Sequence, residues 1–169
     1  MKTAPTPARF TKEQENLWKI YTNTLETLNL HLDRCLKEEV KIKLADYRIL
    51  AAIIDSPQTD STDAHPIVRM CDLARATNVS ASRLTYQIDV LEKNGWVTKV
   101  SVPSDKRGKG VLITQQGRQV FKEATPVYTR EVQRTVFEGL DPDIARALAH
   151  FSRSVLGKIT RPERRRVRA

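Results

Sequence analysis

The stretch Met70–Gly117, MCDLARATNVSASRLTYQIDVLEKNGWVTKVSVPSDKRGKGVLITQQG, decides how this chain is read. Its spacing predicts a short helix over Cys71–Thr77, a turn at Asn78-Val79 and a longer helix opening at Ser80. Asn78 tolerates the left-handed backbone that a tight interhelical turn requires, Ser80 is a good N-cap, and Gly95 is placed to terminate the second helix. Two β-prone runs follow, Trp96–Val102 and Val111–Ile113, separated by the polar, basic loop Pro103–Gly110.

Helix, turn, helix and a hairpin with a charged tip make up a winged helix-turn-helix. Leu73 and Ala74 can pack against Leu84, Ile88 and Leu91. That packing leaves Ser80, Ser82, Arg83, Thr85, Tyr86 and Gln87 outward at the start of the second helix. Such side chains suit the major groove: Arg forks onto guanine, Gln onto adenine, and Thr meets the thymine methyl. The helices alone also fit an ordinary helical hairpin with a solvated face. The basic hairpin beside them, with Lys106, Arg107 and Lys109, favours DNA.

Asp105-Lys106-Arg107-Gly108, an apolar run ending at Ile113-Thr114, and then Gly117 resemble the D-x-R…L-T…G signature of the MarR family of transcriptional regulators. Ser82-Arg83-Leu84-Thr85-Tyr86-Gln87 and Leu91-Glu92-Lys93-Asn94-Gly95 resemble the same family's recognition helix, and the Pro-x-Asp-x-Arg-Gly wing is similar to a branch common in actinobacterial members. Ile113 stands where Leu is usual, and the loop Ser56–Pro66 is longer than typical. The resemblance implies that Arg107 enters the minor groove while Asp105 holds the wing in shape through a local salt bridge. Taken alone, these two residues read as a solvated turn whose ion pair contributes little.

Outward from this segment the chain reads as helical, giving a mainly α fold with a small β-hairpin wing (α+β). Residues 1–10 are Pro-rich and expected to be a loose arm. Thr11 to Gln14 forms a capping box that opens a helix to about Glu39, with an apolar stripe of Leu17, Tyr21, Leu25, Leu28, Leu32 and Cys35 or Leu36. A helix over Ala45–Asp55, a polar loop to Pro66 and a short strand over Ile67–Arg69 come next. A helix from Thr114 to about Phe137 is expected to kink or break at Pro126, and a last helix runs from Asp141 to about Lys158. The domain expected is 11–160, with the winged helix-turn-helix at about 44–117, helices for dimerisation at about 11–39 and 118–158, and a basic tail over 161–169. Leu140, Ile144, Leu148, Phe151 and Val155 form an apolar stripe with no obvious partner in the reading head. It is either intrachain core or the seam of a homodimer that sets two recognition helices one DNA turn apart on a pseudo-palindromic operator. Family resemblance implies intertwined terminal helices.

The 169 residues carry a net charge of +9, which points to a polyanionic partner. From Lys158 onward six Lys and Arg stand against one Glu, so five of those charges sit in the tail. Runs of this kind are DNA-grasping arms or simply solvated. No apolar run is long enough to cross a membrane and no secretory h-region opens the chain, so the expected location is cytoplasmic. No P-loop, G-x-G-x-x-G, G-x-S-x-G or H-E-x-x-H is present, so an enzyme is not expected.

In relatives, small anionic aromatic ligands bind between the dimerisation helices and the reading head. An equivalent pocket here would draw on Trp18, Tyr21, His31, Arg34, Tyr47 and Arg48, each of which also has a plain core or surface role. Cys35 and Cys71 suggest a reducing compartment and leave open a redox-sensing regulator, while a non-specific architectural DNA protein is the other alternative. The histidines and cysteines show neither C-x-x-C nor H-x-x-x-H spacing, so no metal or other cofactor is expected.

Overall fold

The computed structural model describes residues 9–56, 61–62, 65–102 and 105–160, with backbone alone at 61–62, 65–66 and 105–108. Two compact units are present, Met1–Glu131 and Val132–Ala169.

The first unit opens with α1, Lys12–Val40. Its capping box is formed as the sequence predicts: the Thr11 hydroxyl accepts from Gln14 N at 3.2 Å, and Gln14 Oε1 accepts from Thr11 N at 2.9 Å. α1 ends at Lys41 in the left-handed region. Three residues later α2 begins, Leu44–Ile54, and its N-cap Lys43 offers no side-chain acceptor. Asp33 of α1 supplies one, accepting from Leu44 N at 2.9 Å. An orphan helix N–H is thereby satisfied from a neighbouring helix.

A two-residue hairpin, β1 (Ser61–Thr62) against β2 (His65–Pro66), lies within the stretch expected to be a polar loop. β3 (Val68–Arg69) leads directly into α3 (Met70–Thr77), then come α4 (Ala81–Lys93), β4 (Val97–Val102), β5 (Asp105–Ile113) and α5 (Gln115–Val132). The sheet order is β3-β5-β4 and both pairings are antiparallel. The predicted third strand thus exists, and Gly110 of β5 sits where an added Cβ would lie 2.4 Å from the Ile67 side chain.

Two expectations need correction. Residues 105–110, read as loop from their polar, basic composition, are strand. Asp105, Lys109 and Gly110 pair with Val102, Ser101 and Val100 of β4 across a register shift, and a protruding ribbon needs no apolar alternation to do so. Of the kink or break expected at Pro126, the break does not occur, because α5 continues through it to Val132. Pro126 and Lys122 are both exposed, so the carbonyl that loses its donor can bond to water.

The core of the first unit joins Leu32 and Leu36 of α1, Ile49, Leu50 and Ile53 of α2, Leu73 of α3, Leu84, Ile88 and Leu91 of α4, and Val97 and Val111 of the sheet, all buried. Each such aliphatic side chain contributes about 1.5–3 kcal/mol. The N-terminal half of the α1 stripe is not part of it: Leu17 is 67% exposed and Leu25 43%.

In the second unit a π-helical turn, Gln133–Phe137, precedes α6, Pro142–Thr160. Asp141 caps α6 by accepting from the backbone N–H groups of Asp143 and Ile144. No residue of α6 is buried, and Ile144, Leu148, Phe151, Leu156 and Ile159 are all exposed. Among the described residues no helix is long and apolar enough to cross a membrane.

Candidate nucleic-acid interface

Three local devices orient α4. Asn78 adopts φ 53°, and the turn closes with Val79 N donating to Ala74 O at 3.2 Å. Ser80 is the N-cap, its Oγ accepting from Arg83 N. At the far end Gly95 takes φ +74°, and Trp96 N returns to Leu91 O at 2.9 Å. Leu84, Ile88 and Leu91 are fully buried, so the opposite face must turn outward.

That outward face carries Ser80, Ser82, Arg83, Thr85 and Tyr86, all exposed, with Tyr86 at 69%. Three of the hydroxyls are already engaged, those of Ser80 and Ser82 lying 3.3 Å apart. Ser80 Oγ caps the helix, and Thr85 Oγ1 donates to Ala81 O at 2.9 Å, so Thr85 offers its methyl more freely than its O–H. Gln87 is half-buried, and its Oε1 is buried without a hydrogen-bond partner among the described residues. A contact from Gln87 to a base would therefore need the side chain to swing outward.

The wing is anchored to α4 by Lys99 of β4. Its Nζ lies 2.5 Å from Asp89 and 2.8 Å from Glu92, while its backbone N–H donates to Glu92 Oε1 at 2.8 Å. Those bonds raise the Lys99 pKa above its ordinary value. The same bonds from Lys99, side chain first and backbone second, lower that of Glu92. Pattern reading missed this clamp, because partners seven and ten residues apart across a helix–strand joint follow neither helical nor strand periodicity. Lys109 of β5 is exposed. The side chains of Asp105, Lys106 and Arg107 lie outside the described residues, as do the N-terminal residues 1–8 and the basic tail 161–169.

Thr114 locks the root of the wing. Its Oγ1 donates to Gly95 O at 2.7 Å and accepts from Gly117 N at 3.0 Å, and its own N–H reaches Trp96 O at 3.0 Å. A Cβ on Gly117 would lie 2.0 Å from Trp96 O, so only glycine fits. In this signature Thr114 and Gly117 therefore act structurally, holding the end of α4 to the start of α5.

A crevice of about 1160 Å³ lies behind the reading head, between α2, α3 and α5. Tyr47, Arg48, Asp55, Asp72, Arg75 and Tyr128 are among the residues lining it. Tyr47 stacks on Phe121 at 5.3 Å and lies 4.8 Å from Tyr128, and burial pushes its hydroxyl pKa up. Arg48 is oriented by Asn29, whose Oδ1 accepts from its Nη2 at 2.6 Å. Of the six ligand residues expected from the sequence, the crevice gathers Tyr47 and Arg48. Trp18 is 53% exposed near the start of α1, with Tyr21 at 6.2 Å. His31 bonds to Glu131, and Arg34 lies beside His31.

Of the two cysteines, Cys71 is exposed and Cys35 partly buried. Burial, followed by the Glu131 carboxylate, pushes the Cys35 thiol above its ordinary value. A thiol held protonated is a poor nucleophile toward peroxide.

A model of the MarR family matches residues 41–108. Sco3205 of Streptomyces coelicolor, a MarR family transcriptional regulator whose crystal structure is a complex with DNA, is 30% identical to this chain. It superposes with a TM-score of 0.83, covering 95% of this chain and 96% of that one. AbsC, a MarR family transcriptional regulator from the same organism, is 24% identical with a TM-score of 0.80 over 90% of this chain and 98% of its own. The multiple antibiotic resistance protein MarR of Escherichia coli (strain K12) is 23% identical over 135 residues, covering 78% of this chain and 88% of its own.

Proposed function

The chain belongs to the MarR family of transcriptional regulators, and on that premise we propose that it is a repressor that binds a pseudo-palindromic DNA operator as a homodimer. The observation that carries this reading is the two-sidedness of α4. Leu84, Ile88 and Leu91 lock one face into the core, while Ser82, Arg83, Thr85 and Tyr86 stand exposed on the other. A helix so oriented, with a clamped ribbon beside it, can lie in a major groove while the wing follows the backbone. Arg83 reads a base edge, Lys106 and Lys109 meet phosphates, and Arg107 enters the adjacent minor groove. The net charge of +9 supplies the sequence-independent part of the affinity.

Dimerisation would place two such helices about 34–36 Å apart, one turn of DNA. Exposed apolar residues on α1 (Leu17, Trp18, Ile20) and, separately, on α6 (Ile144, Leu148, Leu156) support this, because each helix carries large apolar side chains that its own unit leaves uncovered. Release from DNA is assigned to a small anionic aromatic ligand in the crevice, where the rings of Tyr47 and Tyr128 and the guanidinium groups of Arg48 and Arg75 offer stacking and charge.

Genome-wide mapping of bound DNA, followed by competition of the best site against random duplex, tests the reading. Repression by a specific dimer requires a strong preference for an inverted repeat. A ratio near one would instead mean a protein that coats DNA.

A further inference from the structure

Away from the reading head, three side chains meet that neither the DNA interface nor the crevice uses. His31 and Cys35 stand one turn apart on α1, so both project from the same side of the helix. Glu131, near the end of α5, approaches them from across the unit and is only 5% exposed. Its Oε2 lies 2.9 Å from His31 Nε2, and Cys35 Sγ lies 3.7 Å from the same nitrogen. The three donor atoms fall within 4.8 Å of one another. We propose that His31, Cys35 and Glu131 form a divalent-metal site, zinc being the ion that best fits its sulfur, nitrogen and oxygen donors.

Zinc bound at about 2.3 Å from sulfur and about 2.1 Å from nitrogen in tetrahedral geometry sets those two ligands about 3.6 Å apart. The Sγ–Nε2 separation of 3.7 Å is close to this value, but Sγ also lies 3.9 Å from Nδ1, beside the ring and off the Nε2 lone pair, so the imidazole must turn to direct Nε2 at the ion. The nitrogen–oxygen pair is closer, at hydrogen-bond length, and opens by about half an ångström when a metal replaces the bridging proton. Thiolate and carboxylate together neutralise a doubly charged cation, and three protein ligands leave one position open for water or another donor.

The surroundings fit this role. Arg130 Nε holds the other carboxylate oxygen of Glu131 at 3.1 Å and also pairs with Glu39. Its grip on Oε1 leaves Oε2 aimed at His31, as outer partners orient ligands in metal sites. Arg34 Nη2 lies 3.4 Å from His31 Nδ1. A guanidinium only donates, so this contact makes Nδ1 the acceptor and puts the imidazole proton on Nε2. On metal binding the Cys35 S–H proton leaves to solvent, the imidazole proton moves from Nε2 to Nδ1, and exposed Arg34 turns away. This proposal departs from the expectation of no metal. The sequence signal was His31-x-x-x-Cys35, a helical spacing that a search for like pairs passes over, and the third ligand is 100 residues distant. The site is independent of the DNA reading.

Titration of the full-length protein with Co²⁺ as a spectroscopic stand-in, followed by displacement with Zn²⁺, decides the matter. One cobalt per chain is expected, with a sulfur-to-metal charge-transfer band in the near ultraviolet and the visible absorption of a four-coordinate ion. Cys35→Ser should abolish the charge-transfer band and Cys71→Ser should retain it, both with unchanged circular dichroism. His31→Gln and Glu131→Gln should weaken cobalt binding by more than about tenfold. Absence of saturable one-to-one binding in the unmodified protein, or a charge-transfer band that survives Cys35→Ser, would overturn the proposal.

Discussion

The Thr114 hydroxyl donates to the Gly95 carbonyl at 2.7 Å, joining the residue that ends the recognition helix to the residue that begins the helix after the wing. Thr114 belongs to the D-x-R…L-T…G signature and Gly95 to the segment that resembles the family's recognition helix, and the bond gives their succession a mechanical meaning. One side chain thereby ties the end of α4 to the root of the hairpin, beside the clamp that Lys99 makes to Asp89 and Glu92.

Thr114→Val keeps the shape but strands the Gly95 carbonyl and the Gly117 N–H. A loss of about 1–3 kcal/mol is expected for buried groups left unpaired. Gly117→Ala should cost more, because its methyl meets backbone that cannot move aside. Urea denaturation monitored by circular dichroism measures both.

Arg83→Ala should relax preference at one or two base pairs, costing about 1–3 kcal/mol there, whereas Arg107→Ala should weaken binding to all sites. Competition binding against a panel of operator variants separates the two patterns. Uniform loss for Arg83→Ala would make Arg83 a phosphate contact.

Gln87→Leu removes the buried, unpaired Oε1 and should leave the free protein as stable or more so, by about 1 kcal/mol. It should nonetheless reduce operator affinity, because leucine cannot offer an adenine the paired donor and acceptor of an amide. Thermal unfolding and DNA binding measured on the same preparation would show the opposed signs. Unchanged affinity would remove Gln87 from the interface.

Asp33→Ala removes the acceptor at the start of α2 and should cost about 1 kcal/mol at neutral pH. Burial acts to raise the Asp33 pKa, but Lys37 and the Leu44 N–H outweigh it and hold the carboxyl below its ordinary value of 3.8. A depressed folded pKa contributes stability above the unfolded value and loses it as pH falls through the folded one. The gap between the two proteins should therefore narrow below about pH 4, which denaturation curves at several pH values will reveal.

Ile144→Glu places a charge on the exposed apolar stripe of α6 and should shift the dimer toward monomer in sedimentation equilibrium, with helical content unchanged. A monomeric unmodified protein at micromolar concentration would count against the dimer.

Much of the fold was legible in the sequence because it is encoded over a few residues. Thr11 and Gln14, Asn78, Ser80, Gly95 and Asp141-Pro142 each act through a bond or backbone angle within their own turn, so residue type and spacing determine them. Most of the outward face of α4 was legible for the same reason, since burying Leu84, Ile88 and Leu91 fixes what faces away, but Gln87, expected outward, is half-buried. Tertiary structure decided what depends on distant partners. Composition made residues 105–110 a loop, but pairing with β4 made them strand. Six aromatic and basic residues looked equally suited to a ligand, but packing brought Tyr47 and Arg48 to the crevice and sent His31 to Glu131. Chain separation carries no information about proximity once helices fold back on one another, so His31, Cys35 and Glu131 became a cluster only when α1 and α5 were packed together.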